Sequence, residues 1–151
     1  MSNQLISEIE IKAPPAVVRQ TLLDFPKIKD WSAWTITNKK DELSGGQEMI
    51  EGDPLSVVLP GNSFSPTVQE NKPDLFAWLG SIPYIFTGRH EFRFRESTSH
   101  AGGTTFTQSE EFTGALSFLM GPGWSMREKT AVVWSKFNED LKAEAEKRAS
   151  G

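Results

Sequence analysis

Three polar side chains, those of His90, Gln108 and Glu110, interrupt two aromatic segments of this sequence, and their types and spacing could support chemistry. Residues 88–95 read Gly-Arg-His-Glu-Phe-Arg-Phe-Arg, and residues 104–114 read Thr-Thr-Phe-Thr-Gln-Ser-Glu-Glu-Phe-Thr-Gly. Because side chains alternate between the two faces of a strand, one face of this pair is predicted to carry His90, Phe92, Phe94, Phe106, Gln108, Glu110 and Phe112. Buried polar groups cost free energy unless each finds a partner or a ligand. The pattern therefore indicates a lined cavity rather than a solid core.

The spacing of the two segments predicts an antiparallel hairpin, closed by residues 97–103. If Phe94 lies opposite Phe106, then His90 lies opposite Glu110, and directly opposed side chains are close enough to interact. A His–Glu pair in a pocket can hold the polar end of a ligand or can move protons as general acid and base. It can also satisfy itself and close the sheet. These three interpretations stay open, with His90 and Glu110 as the catalytic candidates.

Composition narrows the class of protein. A chain of 151 residues has the length of one domain, so we expect residues 1–151 to form a single domain. The formal net charge of −4 makes non-specific nucleic-acid binding a poor hypothesis. Because there are no cysteines, disulfides and thiol catalysis are excluded. Ten Phe and five Trp against one Tyr provide large apolar rings that fill cores and line pockets for flat or oily ligands.

Several kinds of site lack a motif in the sequence. With two histidines and no cysteine we expect no metal site, and nothing suggests a cofactor. No serine stands in a Gly-x-Ser-x-Gly elbow, and Gly121-Pro122-Gly123 lacks the Lys-Ser/Thr of a phosphate loop. We find neither a signal sequence nor a run of membrane-spanning length, so we expect a soluble, cytoplasmic protein.

Hydrophobic periodicity predicts an α+β order of elements. A strand at 4–12, with Ile9 and Ile11 inward, precedes helices at 15–23 and 26–31. Strands follow at 34–38, 47–52, 55–59, 64–71, 75–79, 85–96 and 104–113. After a helical turn or two at 115–120, a long helix at 125–148 presents a stripe predicted to be buried: Met126, Thr130, Val133, Trp134, Phe137 and Leu141.

The sequence resembles the START-like, or SRPBCC, superfamily, and most closely its polyketide cyclase/dehydrase and lipid-transport group. The matching motifs include Ile-Glu-Ile-Lys-Ala-Pro-Pro at 9–15, Phe-Ala-Trp at 76–78 and Gly-Arg-His-Glu-Phe at 88–92. Segments 25–31, 105–114, 137–138 and 141–144 match as well, so that the resemblance covers nearly the whole chain. It implies a helix-grip fold, in which a curved antiparallel sheet of about six to seven strands surrounds the long C-terminal helix. Two short helices follow the first strand.

The resemblance also implies a deep apolar cavity between the sheet and the C-terminal helix. Trp31 and Trp34 would lie near its mouth, where one of them could act as a gate. Together with the face pattern, this gives the candidate ligand-binding residues Trp34, Phe76, Trp78, His90, Phe92, Gln108, Glu110, Phe112, Met126, Thr130, Trp134 and Phe137.

Fold alone does not give function, so three hypotheses follow from the resemblance. The first is binding of a small hydrophobic or aromatic ligand, lipid- or polyketide-like, in the cavity. The second is a cofactor-independent cyclase or dehydratase that uses His90 and Glu110. The third is a protein-interaction module of the chaperone-activator type, which a packed interior without a cavity would favour.

Overall fold

The computed structural model describes residues 2–82 and 86–151. Within these ranges the strands are β1 (Ser2–Ile11), β2 (Thr35–Asn38), β3 (Leu55–Leu59), β4 (Asn62–Phe64), β5 (Thr67–Lys72), β6 (Leu75–Ile82), β7 (Phe86–Glu96) and β8 (Thr104–Thr113). The α-helices are α1 (Pro15–Leu23) and α2 (Ser125–Ser150). Short 3-10 helices span Phe25–Asp30 and Ser117–Met120.

Two antiparallel sheets carry these strands. The larger has the order β1-β8-β7-β6-β5, and the smaller has the order β2-β3-β4. Helix α2 packs against β1 and α1. The predicted α+β helix-grip fold is confirmed, with the strands divided between two sheets instead of being joined in one.

Helix α1 begins and ends where the sequence predicts. Pro15 occupies the first helical turn, where its missing N–H costs no hydrogen bond. Val18 and Leu22 are completely or almost completely buried one turn apart, which fixes the face that packs inward. After Asp24 the chain continues as the 3-10 helix that contains Pro26.

Two strand predictions were wrong. Residues 47–52 form a loop rather than a strand, because the Asp53 carboxylate accepts the backbone N–H of Ile50 and tightens a turn there. The predicted strand at 64–71 is divided into β4 and β5 at Pro66, which has no N–H to donate to a ladder. Residue 85, the predicted first residue of the hairpin, lies outside the described residues.

Helix α2 is not buried along its whole predicted stripe. Trp134, Phe137 and Leu141 are buried, but Met126 is 38% exposed and Thr130 is half-buried. The stripe prediction was therefore wrong for the first turns of α2, where Met126 and Thr130 border a cavity instead of packed core. None of the described helices combines the length and apolar composition needed to cross a bilayer.

Candidate functional site

The hairpin of β7 and β8 has the predicted register. Phe94 pairs with Phe106, Phe92 with Gln108, and His90 with Glu110. His90 Nδ1 lies 2.8 Å from Glu110 Oε1, which is hydrogen-bond distance. His90 is only 2% exposed and Glu110 is 17% exposed, so the pair has an inner and an outer member. The alternation of the two strands, with the register set by the turn at 97–103, brings these groups together.

Aromatic rings enclose the imidazole of His90. Its centroid lies 4.4 Å from that of Phe92 in a stacked arrangement, 4.6 Å from Trp134 and 5.0 Å from Trp78. Because these rings come from β6, β7 and α2, the imidazole is held from three sides. Ring packing of this kind fixes side-chain orientation in addition to burying area.

A chain of buried amides extends from His90 to β1. His90 Nε2 lies 2.9 Å from Gln108 Oε1, and Gln108 Nε2 donates to Asn138 Oδ1 at 2.7 Å. Asn138 Nδ2 in turn donates to Ser7 Oγ at 3.0 Å. With the amides in this orientation, Gln108 Oε1 is an acceptor and His90 Nε2 is the donor. The chain satisfies polar groups that would otherwise be costly to bury and connects the sheet to α2.

Gly88 makes room for the carboxylate of Glu110. A Cβ added at residue 88 would collide with Glu110 Oε2 and would lie 2.8 Å from its Cδ. Gly88 pairs with Phe112 on β8 and with Gly80 on β6, so the carboxylate lies over bare backbone. A residue with a side chain at this position would have to push Glu110 away from its present place.

A cavity of about 500 Å³ opens beside the His90–Glu110 pair. Its walls come from β6, β7 and β8, from the turn between β3 and β4, from Met120 and from the first turns of α2. Apolar side chains dominate the lining: Leu59, Phe64, Trp78, Phe112, Met120, Met126, Val133 and Trp134. This volume and this mixture of apolar wall and few polar groups are typical of small-molecule sites.

The structure separates the predicted ligand-binding residues into two groups. Seven border the cavity: Trp78, His90, Glu110, Phe112, Met126, Thr130 and Trp134. Five are buried in the core away from the lining: Trp34, Phe76, Phe92, Gln108 and Phe137. Trp34 stacks on Phe137 with centroids 4.0 Å apart, so it lies in packed core and not at a gate. Trp31 also packs on Phe137 and does not line the cavity.

Sequence reasoning missed several residues of the cavity wall, most of them in β3 and β4. Leu59, Asn62 and Phe64 reach the cavity from β3, β4 and the turn that joins them, and Lys129 reaches it from α2. Phe64 packs edge-on against Trp78 with centroids 6.1 Å apart, which joins the small sheet to the large one. Strand and helix periodicity identify inward faces but do not show which element covers them. No signal within the sequence pointed to these four residues.

Comparison with known proteins supports the fold at low sequence identity. No protein-family model matches the sequence, and no curated protein matches it significantly. Among solved structures, the Zhui aromatase/cyclase from a Streptomyces species has a TM-score of 0.60 at 18% identity, and the match covers 100% of this chain and 99% of that one. Ara h 8.0201 has a TM-score of 0.64 at 12% identity, with 96% and 98% covered.

A third similar structure is a larger protein. The di-domain ARO/CYC StfQ from the steffimycin biosynthetic pathway has a TM-score of 0.69 at 10% identity, and the match covers 100% of this chain and 53% of that one. These likenesses show that the chain has the helix-grip fold. At this level of identity they show the fold alone.

Proposed function

We propose that this protein binds a small hydrophobic or aromatic molecule in the cavity between the large sheet and α2. The observation that carries the proposal is the cavity itself, with its largely apolar wall and the His90–Glu110 pair at its edge. The apolar wall supplies most of the affinity, and the polar pair orients the ligand. Similar structures include aromatase/cyclases, which agrees with a site for a ring-containing molecule.

Native mass spectrometry of the protein purified from its own source, with organic extraction of what co-purifies, is the direct test. We expect an apolar molecule at near-equal stoichiometry. A protein that is empty, and that also fails to bind 1-anilinonaphthalene-8-sulfonate in titration, would contradict the proposal.

A pair of neighbouring valines gives a matched control for that titration. Val133 lines the cavity, whereas Val132 is 70% exposed and does not. Val133→Trp fills the cavity and should weaken dye binding about tenfold or more, whereas Val132→Trp should leave it unchanged. Equal effects of the two variants would mean that the dye binds outside the cavity.

Tryptophan fluorescence reports on the same site. Trp78 and Trp134 line the cavity, and Trp124 is exposed outside it. A bound aromatic ligand should quench emission, and Trp78→Phe and Trp134→Phe should reduce that quenching. Trp124→Phe serves as the control and should preserve it.

A second candidate function is cofactor-independent cyclisation or dehydration of a polyketide-like substrate. The 2.8 Å contact of His90 with Glu110 at the cavity edge favours it, because general acid–base catalysis needs a positioned proton donor and acceptor. His90→Ala should then abolish turnover of a polyketide-like substrate and leave its binding largely intact. Equal loss of binding and turnover would favour the carrier role. A packed interior would have favoured the interaction-module hypothesis, and the observed cavity gives it no support.

A further inference from the structure

We infer that the ligand is bipolar, with a hydrogen-bond donor such as a phenolic hydroxyl at Glu110 and an anionic group such as a carboxylate at Lys129. This inference rests on the proposed binding function and names the chemical class of the ligand. It follows from the two formally charged side chains, Glu110 and Lys129, that border the cavity within the described residues.

Glu110 presents an acceptor to the cavity. Its Oε1 is engaged by His90, and no described residue contributes a hydrogen bond to its Oε2. Gly88 keeps the backbone beneath this oxygen bare. A ligand hydroxyl or amine can donate to it in a charge-assisted hydrogen bond, whereas a ligand carboxylate would meet like charge. The ligand end at Glu110 is therefore a donor.

Lys129 presents a cation without a carboxylate partner among the described residues. Three other cations of α2 are paired along the helix: Lys136 with Asp140 at 2.6 Å, Lys142 with Glu146 at 2.8 Å and Arg148 with Glu144 at 2.9 Å. The neighbours of Lys129 three and four positions away carry no charge: Ser125, Met126, Val132 and Val133. Its ammonium is thus available to a ligand anion.

The cavity wall that carries these two groups also favours an aromatic skeleton. Trp78, Phe112 and Trp134 all border the cavity and offer ring faces and edges. Aromatic pairs contribute free energy beyond the area that they bury. An aromatic hydroxy acid satisfies the acceptor, the rings and the cation at once.

Four probes separate the contributions of the two ligand ends: naphthalene, 2-naphthol, 2-naphthoic acid and 6-hydroxy-2-naphthoic acid. We expect the hydroxy acid to bind most tightly to the wild-type protein at low salt. Adding the hydroxyl to a probe should lower its Kd about tenfold, which we call the hydroxyl gain. Adding the carboxylate should lower the Kd about three- to fivefold, which we call the carboxylate gain. The hydroxyl gain is the larger because hydrogen bonds to charged groups outweigh exposed ion pairs. Tryptophan quenching measures all four Kd values.

Variants assign each gain to one residue. Glu110→Gln should remove most of the hydroxyl gain and preserve the carboxylate gain. Lys129→Met should remove the carboxylate gain and its salt dependence and preserve the hydroxyl gain. Lys136→Met, on the same helix but away from the lining, is the control and should change neither.

The outcomes distinguish this inference from the function on which it rests. Binding of all four probes with equal Kd would overturn the bipolar ligand and leave the cavity as a binding site. The same follows if the carboxylate gain survives Lys129→Met or the hydroxyl gain survives Glu110→Gln. Failure of every probe to bind the wild-type protein would overturn the proposed function and this inference with it.

Discussion

The two ends of the inner face of the β7–β8 hairpin differ although the same alternation produces both. At the packed end, Phe92, Phe94 and Phe106 are buried, with Phe94 and Phe106 centroids 5.7 Å apart. At the open end, His90 and Glu110 border the cavity. Helix α2 has a similar division, since Phe137, Leu141 and Ala145 are fully buried whereas Met126 and Thr130 line the cavity.

The difference between the ends shows that a strand face becomes core or cavity according to what covers it. Large rings fill the packed end completely. At the open end, Gly80 and Gly88 are paired across β6 and β7, and the Phe64 ring and the Glu110 carboxylate lie where side chains at these two positions would stand. A single hairpin can thus stabilise the fold at one end and keep a site open at the other.

The largest effect should come from emptying the packed end. Phe137→Ala removes a ring that stacks on Trp34 and should cost about 3–5 kcal/mol of unfolding free energy. Met126→Ala at the open end should cost less than about 1 kcal/mol, because its side chain is already 38% exposed. Urea unfolding of both variants measures the contrast. Equal losses would show that the two ends are packed alike.

The next effect should come from the amide chain behind His90. Gln108→Leu leaves His90 Nε2 and Asn138 Oδ1 without their partner in the core, at about 1–3 kcal/mol for each group. The double variant Gln108→Leu with Asn138→Leu should cost less than the sum of the two single changes, because both members of one hydrogen bond are then apolar. Strict additivity in the double-mutant cycle would show that the chain is not coupled.

A smaller and more local effect is expected at Gly88. Gly88→Ala should displace the Glu110 carboxylate, with a stability loss of about 1 kcal/mol. Gly80→Ala is the matched control, since its Cβ would meet only the Phe64 ring at 3.3 Å and Pro66 beyond it. Ligand probes should lose the hydroxyl gain in Gly88→Ala and keep it in Gly80→Ala. Retention of that gain in both variants would mean that Gly88 does not position Glu110.

The smallest effect should appear as a pH dependence outside the cavity. Hydrogen bonds from Ser97 and Thr105 lower the pKa of Glu10 below its ordinary value of 4.5, against opposing desolvation. Because the folded-state pKa is the lower one, this stabilisation is present above the ordinary pKa and is lost as the pH falls through the folded pKa. Glu10→Gln should therefore narrow the stability difference between pH 7 and pH 3. An unchanged difference would contradict the assignment.

Much of the fold was predictable because its signals are local. Alternation and a turn at 97–103 were enough to set the register that places His90 against Glu110. The position of Pro15 and the spacing of Val18 and Leu22 were enough to predict where α1 lies and which of its faces is buried. The loop at 47–52 was missed because a side chain, Asp53, fixes its backbone, and propensity does not reveal such a hydrogen bond.

The candidate site was only partly predictable because hydrophobic periodicity shows which side chains face inward but does not show how deeply each of them is buried. Phe76 and Phe92 lie on the predicted face, yet they are completely buried and lie away from the cavity lining. Lys129 and the residues near the β3–β4 turn reach the cavity only through the packing of separate elements. Which inward residue meets a ligand depends on distances that a single strand or helix does not encode.

The sequence by itself determined the elements, the inward faces and the His90–Glu110 pairing, because each depends on neighbours along the chain or on one hairpin register. Only the tertiary structure decided that Gln108 lies behind His90, that Gly88 accommodates the Glu110 carboxylate and that an open volume remains beside them. The physical reason is that a cavity forms where packing is incomplete, and packing depends on how sheet, turn and helix meet in space.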